Sequence, residues 1–79
     1  MQIRVLFFGA TADETGKRSV EFPIEDSTSA QAAFDQILET FPELSSHKLL
    51  FAVNQQYVTE DRLLRDGDEL AIFTVVSGG

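Results

Sequence analysis

No cysteine and no tryptophan occur among the 79 residues, and only two prolines and six basic residues are present. Without cysteine there can be no disulfide, no thiolate metal ligand and no cysteine nucleophile. Because 13 acidic residues outnumber the six basic ones, the net charge is −7. That charge argues against nucleic acid as a partner, since binding to phosphates depends on lysine and arginine. It also disfavours anionic membranes, and it suits a basic protein partner.

Long apolar runs are also missing. No stretch approaches the roughly 20 apolar residues that a membrane span needs. Residues 1–5 do not begin an apolar signal segment with a small-residue cleavage site. We therefore predict a cytoplasmic location. A chain of this length buries only about 60–65% of its unfolded surface, so a single compact core must stabilise it.

Short segments rich in β-branched and aromatic residues predict the strands. They are residues 3–8, 18–22, 49–53, 57–58 and 69–75. The first two pair as a hairpin, and the segment between them, residues 9–17, is predicted to be a polar loop. A turn at residues 66–68 precedes the last strand, and we expect Gly67 to supply a positive φ there.

One helix is predicted between the second and third strands. Thr28 and Gln31 fit a capping box, in which both side chains bond to free N–H groups of the first turn. Pro42 disfavours helical geometry at Phe41, so the helix is expected to end there. Apolar residues recur between these limits at helical spacing and form one stripe: Ala30, Ala33, Phe34, Ile37, Leu38 and Phe41.

The order of elements predicts an α+β fold. One main helix buries its stripe against one face of a mixed sheet of about five strands. The first and last strands can lie parallel and adjacent in the middle of that sheet, which is the β-grasp or ubiquitin-like arrangement. We expect a domain over residues 1–75 and a flexible diglycine tail over residues 76–79.

Strand alternation predicts an unusual outward surface. Arg4 marks the outward face of the first strand, which also carries Leu6 and Phe8. Phe73 on the last strand should lie beside them, together with Tyr57. A solvated face would be polar, whereas clustered exposed apolar residues usually mark an interaction site. We therefore predict a partner-binding surface, with a covering loop or a homodimer as the alternatives.

The last four residues, Val76, Ser77, Gly78 and Gly79, predict an acyl carrier. Two glycines in a row make the thinnest and most pliable main chain, which could enter a narrow slot in another protein. Four extended residues reach about 13 Å, at about 3.3 Å each. The terminal carboxylate is an anion at neutral pH and must be activated, for instance as an acyl-adenylate, before sulfur or an amine can attack it. A frayed terminus is the alternative.

Three other motifs are predicted to be structural. Gly16 and Lys17 lack the glycine and the hydroxyl residue that complete a phosphate-binding loop. The acidic turn at residues 66–69 lacks calcium-loop spacing. His47 is the only histidine and has no evident nucleophile to serve. No catalytic constellation or metal site is therefore predicted.

Four short segments together resemble one known family. They are Val-Leu-Phe-Phe at residues 5–8, Val-Asn-Gln at 53–55, Asp-Gly-Asp-Glu at 66–69 and Val-Ser-Gly-Gly at 76–79. In this order and spacing they are similar to the MoaD-type small subunits of molybdopterin synthase, which are ubiquitin-like sulfur carriers. One departure is the pair at residues 74–75, where family members often have prolines.

The resemblance implies a function. A ubiquitin-activating-type enzyme would use ATP and Mg²⁺ to adenylate Gly79, and sulfur would replace the AMP to give a thiocarboxylate. Residues 76–78 would insert into the large catalytic subunit, where the sulfur is donated to the cyclic pyranopterin precursor of the molybdenum cofactor. Phe8, Tyr57 and Phe73 would lie on the docking surface of a heterotetramer. The chain itself would bind no cofactor and would not be an enzyme on its own, because the catalytic lysines belong to the large subunit.

Other functions remain open at this point. The same fold and diglycine end occur in sulfur carriers for thiamine or tRNA thiolation, and in ubiquitin-like modifiers that form isopeptide bonds. A β-grasp interaction module with an inert tail is a further alternative.

Overall fold

The computed structural model describes residues 1–75 and contains, within them, a four-stranded sheet with helices on one side. The predicted tail, residues 76–79, lies outside the described residues. In the described part no helix is long and apolar enough to cross a membrane. The elements are β1 (Gln2–Phe7), α1 (Ala10–Thr15), β2 (Ser19–Pro23), α2 (Ala30–Thr40), a 3₁₀ helix (Pro42–Ser46), β3 (Leu49–Val53) and β4 (Glu69–Thr74).

The strand order in the sheet is β2-β1-β4-β3. β1 pairs antiparallel with β2 and parallel with β4, with Val5 opposite Leu70 and Phe7 opposite Ile72. β3 pairs antiparallel with β4. The predicted parallel pairing of the first and last strands in the centre of the sheet is therefore confirmed. Two parallel strands must be joined by a long crossover connection. Between β1 and β4 that connection includes α2.

The core lies between α2 and the inward face of the sheet. β1 and β4 contribute alternate residues to it, among them Ile3, Val5 and Leu70, which are fully buried. The helix contributes Ala33 and Ile37, which are also fully buried. Both the period of two in the strands and the predicted helical stripe are thus confirmed. Phe34, Leu38 and Phe41 pack at the margin of the core.

The start of α2 differs from the predicted capping box. Ser29 is the N-cap, and its hydroxyl accepts a hydrogen bond from the N–H of the third helical residue at 3.1 Å. Thr28 is unavailable, because its hydroxyl donates to the carbonyl of Glu25 at 2.6 Å. The Gln31 amide donates to Asp35 one turn along the helix. The predicted end is confirmed, since the helix stops at its C-cap, one residue before the proline.

The predicted polar loop at residues 9–17 is wrong, because six of its residues form α1. The chain turns at Gly9, whose φ is 58°, and its carbonyl accepts the N–H groups of Ala12 and Asp13. Gly16 ends the helix with a φ of 69°. A helix of this length has no clear apolar stripe, so periodicity could not reveal it.

The predicted strand at residues 57–58 is also wrong. β3 ends in a tight turn in which Asn54 and Gln55 have φ values of 50° and 69°, and a single bridge joins Val53 to Gln56. The Asn54 side chain accepts from the N–H of Glu69, which ties the turn to the start of β4. The described sheet therefore has four strands instead of about five.

The turn before β4 is as predicted, with a φ of 86° at Gly67. It closes on the start of β1, because the N–H of Gln2 donates to Asp66 at 2.8 Å. The neighbouring Asp68 is largely buried, and its carboxylate accepts from Asn54 and from the N–H of Arg65. This turn therefore links β1, β3 and β4.

We expect Ser29→Ala to lower the free energy of unfolding by about 1 kcal/mol, because it removes the N-cap hydrogen bond. Gln31→Ala is the matched control. It loses only a hydrogen bond across one helical turn, which is typically about 0.2–0.5 kcal/mol. Urea denaturation followed by circular dichroism measures both changes. If Gln31→Ala lowered the free energy of unfolding as much as Ser29→Ala, the predicted capping box of Thr28 and Gln31 would form in solution.

Candidate functional site

The outward face of the sheet has a charged end and an apolar end. At the charged end Arg4 lies between Glu21 on β2 and Glu69 on β4 in the strand registers. Its Nε is 3.4 Å from the Glu21 carboxylate. Since both side chains are more than half exposed, this ion pair contributes little to stability.

The apolar end lies toward the end of β4. In the strand registers Leu6 is opposite Ala71, and Leu50 is opposite Phe73. Phe8 follows β1 directly, and its N–H donates to the carbonyl of the residue before Phe73. The Tyr57 ring meets the Phe73 ring edge to face, with centroids 6.1 Å apart. We call Leu6, Phe8, Leu50, Tyr57 and Phe73 the outward patch.

The outward patch exposes large apolar side chains to solvent. Phe8 is 52% exposed, Leu50 is 40% exposed and Tyr57 is 72% exposed. Leu6 and Phe73 are half-buried between them. A shallow groove of about 510 Å³ continues the patch past Leu6 and Phe8 to Ala12 on α1. An exposed cluster of this kind is typical of a protein-binding surface.

All four residues predicted for partner binding lie in this one patch, so the structure brings together side chains separated by up to 67 positions in the chain. Their role in binding stays a prediction. Leu50 was not predicted. Strand geometry directs every second residue of 49–53 to the same face, but all five residues of Leu-Leu-Phe-Ala-Val are apolar, so polarity does not show which face is outward.

The patch adjoins the point where the chain leaves the sheet. β4 ends at Thr74, one residue beyond Phe73. The N–H of Val75 still donates to the carbonyl of Lys48 at 3.1 Å. A proline at that position could not make this bond, because it has no N–H. Gly79, the predicted acyl carrier, and the predicted insertion segment at residues 76–78 lie outside the described residues.

The other polar motifs have structural roles in the described part of the chain. His47 lies 3.2 Å from the Glu14 carboxylate and joins α1 to the 3₁₀ helix. The carboxylate of Asp68, in the acidic turn, accepts hydrogen bonds from Asn54 and from the N–H of Arg65. Gly16 is the C-cap of α1. Within residues 1–75 no group of three His, Cys, Asp or Glu side chains could hold a metal ion. The outward patch is therefore the candidate functional site among the described residues.

The fold and the patch together define a ubiquitin-like β-grasp domain with an exposed apolar surface beside its last strand. The chain belongs to the ThiS family, whose model matches residues 5–79. The resemblance to the MoaD-type small subunits of molybdopterin synthase is also confirmed. Curated relatives of that type match 98–100% of the chain.

Two of these relatives are molybdopterin synthase sulfur carrier subunits. The one from Chlamydomonas reinhardtii is 36% identical, and the match covers 100% of both chains. The one from Escherichia coli is 37% identical, and the match covers 98% of this chain and 99% of the relative.

Solved structures show the same fold. Small archaeal modifier protein 1 of Haloferax volcanii matches with a TM-score of 0.84 and 21% identity, over 95% of this chain and 98% of the other. A complex of subunits 1 and 2 of the molybdopterin-converting factor from Helicobacter pylori contains a chain that matches with a TM-score of 0.71 and 22% identity, over 100% of both chains. The predicted β-grasp fold is therefore confirmed.

We expect the two faces of the sheet to respond differently to the same truncation. Leu70→Ala removes a fully buried side chain, and it should cost about 2–5 kcal/mol of unfolding free energy. Leu50→Ala on the outward patch should cost about 1 kcal/mol or less, because that side chain is partly in water in the folded state. Urea denaturation of both variants tests this. Equal losses would mean that the patch is part of the stabilising core.

Proposed function

We propose that this chain is the sulfur carrier subunit of a molybdopterin synthase. The proposal is supported by full-length relatives with that role. The observation that carries it is the position of the outward patch, which adjoins the exit of the chain from β4. A partner that covers the patch would receive the tail that follows Val75.

The reactive group in this proposal is the Gly79 carboxylate. Its negative charge repels nucleophiles, so a ubiquitin-activating-type enzyme first joins a carboxylate oxygen to the α-phosphate of ATP, with Mg²⁺, and pyrophosphate leaves. Sulfide-level sulfur then attacks the carbonyl carbon and AMP leaves, so that the glycine carries a thiocarboxylate. Two such thiocarboxylates each donate one sulfur to the cyclic pyranopterin precursor, which forms the dithiolene that binds molybdenum, and water returns each glycine to a carboxylate.

The outward patch supplies the binding energy that the tail lacks. Ordering residues 76–79 in a partner's slot costs about 4–8 kcal/mol of backbone entropy. Burial of aromatic anchors is the usual source of energy to offset such a cost. Leu6, Phe8, Tyr57 and Phe73 are therefore assigned to the interface with the large catalytic subunit. The similar chain in the Helicobacter pylori complex supports a large-subunit partner, since that structure holds subunits 1 and 2 together.

In this proposal the small subunit is a donor and the large subunit is the catalyst. Two copies of each form a heterotetramer, and the catalytic lysines lie on the large subunit. This chain holds no cofactor, and ATP and Mg²⁺ act at the separate activating enzyme. All of this takes place in the cytoplasm.

Intact-mass spectrometry tests the proposed chemistry. The chain is expressed in cells that lack their own small subunit but retain the activating enzyme, and it is then purified. We expect a species heavier by the difference between one sulfur and one oxygen atom, and we expect it to be missing from a variant that lacks Gly79. The matched control is Leu63→Ala, which alters an exposed leucine outside the outward patch and should carry sulfur normally.

Two outcomes would count against the proposal. Covalent conjugates of the chain with other proteins, without the sulfur-bearing species, would indicate a ubiquitin-like modifier. Cofactor synthesis that continues after deletion of Gly79 would indicate an inert tail.

We expect Phe73→Ala to weaken binding to the large subunit by about 2 kcal/mol or more, as is typical of an aromatic anchor. Isothermal titration calorimetry measures the affinity, and Leu63→Ala again serves as the exposed control. If a folded Phe73→Ala variant bound the large subunit with unchanged affinity, the assignment of the outward patch to the interface would be wrong.

A further inference from the structure

Thr11 is a fully buried polar residue in a helix whose other side chains are at least partly exposed. Thr11 is not part of the helical stripe of α2, and the proposed carrier chemistry does not use its hydroxyl. It lies three residues after Phe8, at the first turn of α1. A threonine hydroxyl that is shielded from water must find hydrogen-bond partners inside the protein, and the partners of Thr11 join two separate strands.

The hydroxyl accepts a hydrogen bond from the N–H of Phe8 at 2.9 Å. It has one proton to donate, and two acceptors are in reach: the carbonyl of Phe8 at 2.7 Å and the carbonyl of Ile72 at 3.0 Å. The N–H of Phe8 also reaches the Ile72 carbonyl, at 3.2 Å. One side chain therefore connects the backbone of Phe8 to the backbone of β4 directly before Phe73.

Phe8 needs this connection because it lies just past the end of β1. Its one bond to β4, at 3.2 Å, is longer than the usual 2.9–3.0 Å of such bonds. The next residue, Gly9, turns the chain away with a φ of 58°. Without the hydroxyl, that one long bond would be the hydrogen bond that joins the backbone of Phe8 to β4.

We propose that Thr11 is a positioning residue for partner binding, because it holds Phe8 and Phe73 of the outward patch in a fixed relation. The inference rests on the proposed docking of the outward patch to the large subunit. A surface whose aromatic side chains are already in place loses less conformational freedom on association, and therefore binds more tightly.

Thr11→Val is the informative variant. Valine has a similar shape but no hydroxyl. The Phe8 carbonyl keeps the N–H of residue 11, and the Ile72 carbonyl keeps the N–H of Phe8, so the variant leaves each carbonyl a partner and should still fold. Thr11→Ser keeps the hydroxyl and should restore whatever valine loses. Ile37→Val is the control, because it also places a valine at a fully buried position but lies on α2 in the core.

Isothermal titration calorimetry with the large subunit is carried out at a temperature at which every variant is folded. We expect Thr11→Val to weaken binding about two- to tenfold, which corresponds to the cost of ordering one side chain on association. We expect Thr11→Ser and Ile37→Val to bind as the parent chain does, although Ile37→Val is also less stable. In the free protein, hydrogen exchange at the N–H of Phe8, which donates to the Thr11 hydroxyl, should speed up in Thr11→Val and stay as in the parent chain in Thr11→Ser.

Several results would overturn the inference. They are unchanged affinity of Thr11→Val, an equal loss in Ile37→Val, or a failure of Thr11→Ser to restore binding. Each of these leaves the proposed function intact as long as the parent chain binds the large subunit and Phe73→Ala binds it more weakly. If the parent chain does not bind the large subunit, the proposed function fails and the positioning role fails with it.

Discussion

The parallel pairing of β1 with β4 is the constraint on which the rest of this fold depends. It joins residues about 65 positions apart, such as Val5 and Leu70, so the chain must cross back over the sheet between them. That crossover contains α2, whose apolar stripe covers the face that the two strands share. β2 and β3 then extend the sheet on either side. Because β4 is held by neighbours on both sides, the chain leaves the sheet from a well-secured strand.

The same two strands give the protein its binding surface. Alternation directs Val5 and Leu70 into the core, and it directs Leu6 and Phe73 outward. The inward side chains stabilise the fold, whereas the outward ones remain available to a partner. At the far end of this face Arg4 lies between Glu21 and Glu69 in the strand registers. In the proposed function the outward patch is the docking surface, and the residues after Val75 reach a pocket in the partner.

The predictions that succeeded rested on a clearly bounded apolar run or on a strong repeating pattern. The third strand matched residue for residue, and the helical stripe and the end of α2 before Pro42 were right. The errors fell where the pattern was short. Six residues without an apolar stripe gave no sign of α1, and Tyr57 with Val58 suggested a strand where the structure has only a single bridge between Val53 and Gln56. Four patch residues were found from alternation, but Leu50 was hidden in a strand that is apolar on both faces.

Local periodicity was enough to predict the order of the main strands and of α2 and the outward position of Phe8 and Phe73, because alternation and helical spacing depend on neighbouring residues. The folded chain was needed to reveal which hydroxyl caps α2 and what holds Phe8 in place. The Thr11 hydroxyl meets the Ile72 carbonyl across 61 positions. Contacts of that span arise only when distant backbone groups are brought together, and no local pattern of residues encodes them.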